Sequence, residues 1–479
     1  MSKNLGKKFL EFALGSGITM ILGLLTTPVI TRIISPEQFG KLSMFNTVSN
    51  IASVLLILGC DQSFMRFFYE EEPENRRGLL FKVVKVPAFV TIISSVMMLF
   101  FSAPLIRFMV GESKLSVTLL FIAQIIFLVV GRFAMLVVRM QQKGKQYSTV
   151  QVLGKASYIA VTLLIFIFLG DNYLVLIIAT TISNMIMALI SILFEREFWF
   201  KKTNSYVSNK FTTHELLKYG FPFVFVYIVN WLFQSIDKFT ITAFKGYEEV
   251  GIYSSANSII SMLNIIQTTF STFWTPVAYE HYKENPEDTG FFIKVNDIVT
   301  FIMILFGIGF ITCKGLISLL LGPQYRTASY IMPFLVFMPI MYTISETTVQ
   351  GIAFVKKTNY YLWIAVISAI TNAIGNFILV PSMGAKGAAI STGFSYVIFA
   401  VLRTQISKRL YPVKYKAFKA YICMTGLAIL ALYGSFNNFD LVTVLISAAN
   451  IIVLCILYKD VIIEGIEYAK KKLDGIKNK

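Results

Sequence analysis

The sequence has little charge for its length. Only 14% of its 479 residues are charged, whereas 56% are hydrophobic. A soluble globular protein would carry about 25% charged residues and shorter apolar runs. The scarcity of charge therefore excludes a chain that folds in water alone, and indicates a protein surrounded by lipid.

Residues that carry enzyme chemistry are also scarce. The two histidines, His214 and His281, have no His or Cys neighbour at metal-ligand spacing, and no GxxxxGK[ST] phosphate loop occurs. The four cysteines are scattered and indicate neither a disulfide framework nor a metal site. We therefore expect no enzymatic activity, no cofactor and no metal.

Long apolar runs dominate the sequence instead. Fourteen stretches of about twenty residues follow one another along the chain, each long enough to cross a bilayer as a helix. The first covers 10–31, the second 42–62 and the eighth 250–274. We predict an all-α integral membrane protein with about 14 transmembrane helices.

The net charge of +17 is distributed unevenly between the two sides of the membrane. If the N-terminus is cytoplasmic, the inward segments carry about four times as many basic residues as the outward ones. These inward residues include those of 139–155 and 403–419. We predict a multi-pass membrane protein with both termini cytoplasmic. Its basic loops favour anionic lipids, and nucleic acid is not needed to explain the charge.

A weak internal repeat divides the chain. The segments EQFGKLSMFN (37–46) and EEVGIYSSAN (248–257) match, and KGKQY (143–147) and KKTNY (356–360) each lead into the fifth span of a half. An even number of spans in each half makes the repeat parallel. The prediction is a six-helix lobe over 1–194, a cytoplasmic linker with a short interfacial helix over 195–220, a second six-helix lobe over 221–410, and two further helices with a basic cytoplasmic tail over 411–479.

Charged side chains lie inside or at the ends of several predicted spans, where each midspan charge costs roughly 2.5–3.5 kcal/mol if it faces lipid. They are Arg32, Asp61, Arg66, Arg132, Asp237, Lys238 and Glu346. Structural ion pairs would account for Asp237 and Glu346, whereas Arg132 looks less like part of a closed pair. Because the excess is basic, we expect a cavity that favours an anion.

Polar side chains form stripes on single helix faces of several spans. In FVFVYIVNWLFQSIDKF (223–239) the stripe includes Asn230 and Gln234 beside the two charged residues, and in the eleventh span it includes Asn372. Hydrogen bonding between helices would explain any one stripe. Their recurrence in many spans favours a shared polar cavity, and with it a transport function.

Six motifs carry a resemblance to a known family. They are TPVITRIISPEQFGKLS (27–43), GCDQSFMRFFYE (59–70), FPFVFVYIVNWLFQSIDKF (221–239), EEVGIYSSANSI (248–259), LLLGPQYRTASYIMPFL (319–335) and AITNAIGNFILVPSMGAKGAAISTGFSY (369–396). In order and spacing they resemble the polysaccharide-repeat-unit flippases, which handle O-antigen and capsule precursors within the multidrug/oligosaccharidyl-lipid/polysaccharide exporter superfamily. One departure is Lys238, where relatives often have arginine. Lysine contacts phosphate as a point charge rather than as a fork.

The resemblance implies a substrate and a mechanism. The substrate would be an oligosaccharide on undecaprenyl diphosphate, flipped from the inner to the outer leaflet of the bacterial cytoplasmic (inner) membrane. Transport would proceed by alternating access through a cationic central cavity between two lobes. The candidate cavity residues are Arg32, Asp61, Arg66, Arg132, Asn230, Gln234, Asp237, Lys238, Glu346 and Asn372. A polysaccharide polymerase and a chain-length regulator are further candidate partners, and the chain is expected to be a monomer.

Several alternatives stay open at this stage. The chain could flip another polyprenyl-linked glycan precursor of the peptidoglycan or teichuronic type, or act as a multidrug/cation antiporter, although an antiporter would show a more acidic cavity. A membrane polymerase or glycosyltransferase would need a sizeable catalytic loop, which no outer segment offers. The sequence leaves open the sugar, the polymer, and whether H⁺ or Na⁺ is a coupling ion.

Overall fold

A computed structural model of the chain describes residues 17–19, 21–23, 25–200 and 210–467. Within these residues every regular element is a helix, and there is no strand. The prediction of an all-α membrane protein is confirmed. The start of the predicted span 10–31, part of the predicted linker and most of the predicted basic tail lie outside the described residues.

The chain divides into two compact units. The first comprises residues 1–239 and 246–251, and the second comprises 240–245 and 252–479, so the boundary falls within two long helices. The prediction of two lobes at 1–194 and 221–410 stays a prediction. Helices that begin in the first unit are α1 (Gly17–Ile33), α2 (Pro36–Ile57), α3 (Cys60–Phe67), α4 (Arg76–Phe101), α5 (Ala103–Val110), α6 (Leu115–Met140), α7 (Gly144–Leu169), α8 (Tyr173–Phe194), α9 (Arg196–Phe200), α10 (Thr213–Lys245) and α11 (Tyr247–Glu284).

The second unit holds the remaining helices. They are α12 (Thr289–Thr312), α13 (Lys314–Ser318), a 3₁₀ helix (Pro323–Tyr330), α14 (Met332–Leu335), α15 (Phe337–Phe354), α16 (Asn359–Met383), α17 (Ala385–Leu410), α18 (Ala417–Phe436), α19 (Leu441–Leu457) and α20 (Lys459–Glu467). The buried core of this unit includes an aromatic cluster in which Trp274, Phe292 and Phe354 pack together.

The predicted count of fourteen spans is not confirmed. In the described part of the chain, 10 helices are long and apolar enough to cross a membrane, or up to 12 if each of two bent pairs is one span. The bent pairs are α2 with α3, at 54°, and α19 with α20, at 74°. The predicted count also included α1, which is short within the described residues, and α11, which carries a polar stripe that lowers its hydropathy.

A helix begins within the predicted linker, and the linker sequence predicts where it begins. The backbone N–H of Thr212 donates to Glu215 Oε2 at 2.7 Å, and the N–H of Glu215 donates to Thr212 Oγ1 at 3.2 Å. This is a capping box, which satisfies two N–H groups at a helix N-terminus. It begins the 33-residue helix α10, and the short helix of this region is α9.

Equivalent helices of the two halves end in the same way. Gln142 after α6 and Lys356 after α15 both have φ 58°, and the three N–H groups around each residue bond to the preceding turn in the same pattern. The next helices, α7 and α16, both end at a glycine of positive φ, Gly170 at 61° and Gly384 at 59°. These shared helix ends support an internal repeat, and its parallel orientation stays a prediction.

The repeat also brings two equivalent glycines of the first unit into contact. Gly40 and Gly251 occupy the same place in the matched segments 37–46 and 248–257. A Cβ on Gly40 would lie 1.8 Å from the carbonyl oxygen of Tyr247, and a Cβ on Gly251 would lie 1.8 Å from that of Pro36. The N-terminal turns of α2 and α11 therefore touch backbone to backbone, which only glycine permits.

This contact predicts that Gly40→Ala and Gly251→Ala each lower the yield and the thermal midpoint of the purified protein, because a methyl group cannot fit against a carbonyl. Gly309→Ala is the matched control. Gly309 lies inside α12 with nothing within 4 Å of an added Cβ. Alanine there should be neutral or stabilising by up to about 1 kcal/mol. Equal effects in all three variants would contradict the contact.

Candidate functional site

A cavity with several polar side chains in its wall opens within the first unit. Its volume is about 520 Å³. Helices α2, α3, α6, α7, α8 and α10 line it, with the side chains of Ser53, Asp61, Arg132, Tyr147, Gln151, Asn184 and Tyr227 among the lining residues. Apolar walls with a few convergent polar groups are typical of small-molecule sites.

Asp61 and Arg132 form an ion pair at this cavity. Nη2 of Arg132 donates to Oδ2 of Asp61 at 2.6 Å, and Nε donates to the same oxygen at 3.1 Å. The prediction that Arg132 lies outside a closed pair is wrong. The two partners are exposed unequally, because the Arg132 side chain is 50% exposed and that of Asp61 only 2%. The buried carboxylate thus holds a guanidinium whose open side faces the cavity.

A short polar network continues from this pair to α10. Nε2 of Gln62 lies 3.3 Å from Oδ2 of Asp61 and hydrogen bonds to the hydroxyl of Tyr227. Tyr227 itself lines the cavity. The α3 segment that follows the bend at Gly59 therefore positions both the carboxylate and the amide.

The other predicted residues of α10 lie farther along the helix. Nζ of Lys238 donates to Thr47 Oγ1 of α2 at 3.3 Å, and Nε1 of Trp231 donates to the Thr47 carbonyl at 3.1 Å. Asp237 is buried. Asn230 and Gln234 are both exposed. The predicted polar face of α10 is thus divided between packing against α2 and open surface.

Two predicted arginines of the first unit are at helix ends. Nη1 of Arg32 donates to the carbonyl of Pro28 at 2.8 Å, within its own helix. Arg66 forms an i,i+4 ion pair with Glu70 at the end of α3, and its side chain is 53% exposed. Neither residue lines the cavity described above.

In the second unit Glu346 belongs to a buried ion pair. Nη2 of Arg403 donates to Glu346 Oε2 at 2.8 Å, and Nη1 donates to Ser345 Oγ at 2.9 Å. The two charged side chains are 9% and 7% exposed. The guanidinium also lies 4.7 Å from the ring centroid of Tyr342. This pair links α15 to α17, as expected for a structural ion pair of Glu346.

Asn372 lies in a buried hydrogen-bond cluster between α16 and α17. Its Nδ2 donates to Thr392 Oγ1 at 3.2 Å, its carbonyl accepts from Ser391 Oγ at 2.8 Å, and Asn376 is hydrogen-bonded to it from one turn on. Ser368, Asn372 and Asn376 are all fully buried. The stripe therefore forms hydrogen bonds between two helices, which is the alternative to a shared polar cavity.

Sequence reasoning assigned to loops two cations that the structure places inside helices. Arg403 was assigned to the segment 403–419, yet it is buried in α17. Lys155 was assigned to 139–155, yet it lies within α7, one turn beyond the cavity residue Gln151. Both errors come from treating a basic residue near a span boundary as part of the loop. Within the described residues no group of three His, Cys, Asp or Glu side chains could hold a metal ion.

The family model described as "Polysaccharide biosynthesis protein" matches residues 5–281, more than half of the chain. The chain belongs to the polysaccharide biosynthesis protein family. The family predicted from the motifs is thereby confirmed. The matched residues include the whole of the Asp61–Arg132 pair and the cavity around it.

Two relatives of this chain come from archaea. An uncharacterized membrane protein of Methanocaldococcus jannaschii is 23% identical over 407 residues, which cover 78% of this chain and 79% of the relative. The probable low-salt glycan biosynthesis flippase Agl15 of Haloferax volcanii is 22% identical over 209 residues, 43% of each chain.

Solved structures show the same fold. The lipid II flippase MurJ, in an inward closed conformation, superposes with a TM-score of 0.70 at 16% identity, covering 94% of this chain and 99% of MurJ. An inward-facing multidrug resistance MATE family transporter of the MOP superfamily gives a TM-score of 0.59 at 16% identity, covering 84% and 95%. At these identities the likeness shows the fold.

Proposed function

We propose that this polysaccharide biosynthesis protein is a flippase. It moves an oligosaccharide carried on undecaprenyl diphosphate from the inner to the outer leaflet of a bacterial cytoplasmic membrane, where the repeat unit enters a surface polysaccharide such as O-antigen or capsule. Family membership supports a role in polysaccharide synthesis, and the fold is one shared by transporters.

The observation that carries the proposal is the exposed face of Arg132 in the cavity of the first unit. A guanidinium has five N–H donors. The ion pair with Asp61 uses only part of this capacity, and half of the side chain remains exposed. Arginine contacts phosphate with two parallel hydrogen bonds, so this site suits the diphosphate of the carrier lipid.

The neighbouring polar side chains suit the rest of such a substrate. Gln151 and Asn184 offer amide groups, and Tyr147 and Tyr227 offer hydroxyls and aromatic faces. Sugar hydroxyls both donate and accept, as amides and tyrosines do. Asp61 holds Arg132 in place when no substrate is bound, which lowers the cost of a charge inside the membrane.

Two other functions, each with its own class of substrate, are the principal alternatives to this proposal. A flippase for another polyprenyl-linked glycan precursor would use the same arginine, because the diphosphate is common to all of them. A multidrug antiporter would bind a cation, and an exposed guanidinium would repel it. The arginine therefore favours a lipid-linked anionic substrate over a cationic drug.

A deletion of the gene tests the proposal in cells. The expected result is loss of the surface polysaccharide together with accumulation of lipid-linked repeat units. A plasmid copy of the gene should return both quantities to their wild-type levels. Extracted lipid carriers and surface polymer are measured in the same cultures. Altered drug susceptibility with normal polysaccharide would instead support the antiporter.

A further inference from the structure

An apolar groove of the second unit lies apart from the cavity described above. Its volume is about 970 Å³. Ile298, Phe301 and Ile302 of α12 form one wall, Cys455 of α19 lies at its base, and Ile462 and Ile466 of α20 form the other wall. We call it the α12–α20 groove. It is at the upper end of the size range of small-molecule sites, about 300–1,000 Å³.

The second wall exists because the chain bends sharply after α19. Helix α20 leaves α19 at 74°. Helix α20 carries apolar residues and carboxylates, and Glu464 and Glu467 line the groove together with Ile462 and Ile466. Ile463 and Ile466 remain 53% and 51% exposed. A short helix that carries both apolar and charged residues is typical of a membrane interface, and we infer that the groove opens where lipid head groups are found.

Charged side chains also line this groove. Nζ of Lys294 lies 2.5 Å from Glu464 Oε2, and the two side chains are 60% and 55% exposed. Glu467, one turn along α20, lines the groove as well. One ammonium and two carboxylates thus border an apolar channel, in contrast to the basic character of the whole chain.

We propose that the α12–α20 groove binds a zwitterionic phospholipid whose head group carries a primary ammonium, as in phosphatidylethanolamine. One acyl chain lies along Ile298, Ile302 and Ile466. The phosphate contacts Lys294, and the ammonium contacts Glu464 and Glu467. This inference is independent of which substrate the protein transports.

The head group decides which lipid binds. Acyl chains are as apolar in the bilayer as in the groove, so they give little selectivity. An exposed ion pair contributes little to stability. Lys294 and Glu464 can therefore give up their mutual contact at small cost, and each can pair with one charge of the zwitterion. An anionic head group would meet two carboxylates and one lysine. A choline head group has no N–H to donate to those carboxylates.

The test is lipid retention by the intact, purified protein. The protein is equilibrated in detergent with equal amounts of phosphatidylethanolamine, phosphatidylglycerol and phosphatidylcholine, and retained lipid is counted by native mass spectrometry. Phosphatidylethanolamine should be retained about threefold or more over either competitor, as expected for a few exposed charge contacts. Lys294→Gln and Glu464→Gln should each remove the preference.

A matched pair of tryptophan variants separates the groove from the general surface. Ile302→Trp fills the groove, whereas Ile370→Trp adds the same bulk to α16 of the same unit. The two isoleucines are 54% and 53% exposed. Retention should fall only in Ile302→Trp. A preference for phosphatidylglycerol, or equal retention in both variants, would overturn the proposal.

Discussion

Loss of Arg132 should stop transport. In Arg132→Ala the exposed cation of the cavity disappears, and the buried carboxylate of Asp61 loses its partner. We expect surface polysaccharide to fall by about tenfold or more, equivalent to roughly 1.4 kcal/mol or more of lost interaction with the substrate. Arg132→Lys should restore export only in part, because an ammonium cannot make the forked contact with phosphate. Surface polymer and membrane abundance are measured in the same cells.

A double variant separates the substrate role from a purely structural one. Asp61→Asn with Arg132→Gln removes both charges and leaves no unpaired buried carboxylate. We expect it to reach wild-type abundance and still fail to export. The control is Arg139→Ala, which removes an exposed arginine from the last turn of the same helix. Normal export by the double variant would show that the pair only holds α3 to α6.

The second prediction with a large expected effect concerns the stability of the second unit. Arg403→Ala should destabilise the protein by about 3–5 kcal/mol, because it leaves the carboxylate of Glu346 buried without a partner. The thermal midpoint of the purified protein in detergent measures this loss. Arg409→Ala is the control, since Arg409 is an exposed residue of the same helix.

The charge-free double variant completes that comparison. Glu346→Gln with Arg403→Met removes both charges and keeps most of the buried volume. Replacing a buried ion pair in this way is often neutral or stabilising, so the midpoint should return close to that of the wild type. A double variant as unstable as Arg403→Ala would show that the guanidinium acts through Tyr342 and Ser345 rather than through Glu346.

The fold was largely predictable because its signals are local. Long apolar runs predict the helices, the Thr212–Glu215 pair predicts the start of α10, and the matched segments predict the repeat. The bend between α2 and α3 was not predictable. It depends on Gly59, where an added Cβ would lie 2.0 Å from the carbonyl oxygen of Gly220. That neighbour is remote in the chain, and no local pattern reveals it.

The residue types of the candidate site could be predicted from the sequence. Which of these residues form ion pairs with each other could not. Asp61, Arg132 and Glu346 stand out because charges are costly inside spans. Their partners depend on which helices become neighbours, so the bond from α6 to α3 was missed and Arg403 was assigned to a loop. The roles of Asp237 and Lys238 in transport stay predictions.

Reconstitution of the purified protein into liposomes tests the flippase most directly. A fluorescent oligosaccharide on undecaprenyl diphosphate is placed in both leaflets, and a membrane-impermeant quencher is added outside. Without flipping, only the outer half of the fluorescence is lost. The account predicts that wild-type protein lets the signal fall well beyond that half, whereas the Asp61→Asn, Arg132→Gln variant leaves half protected. Protection of half of the signal by wild-type protein under the same conditions would contradict the account.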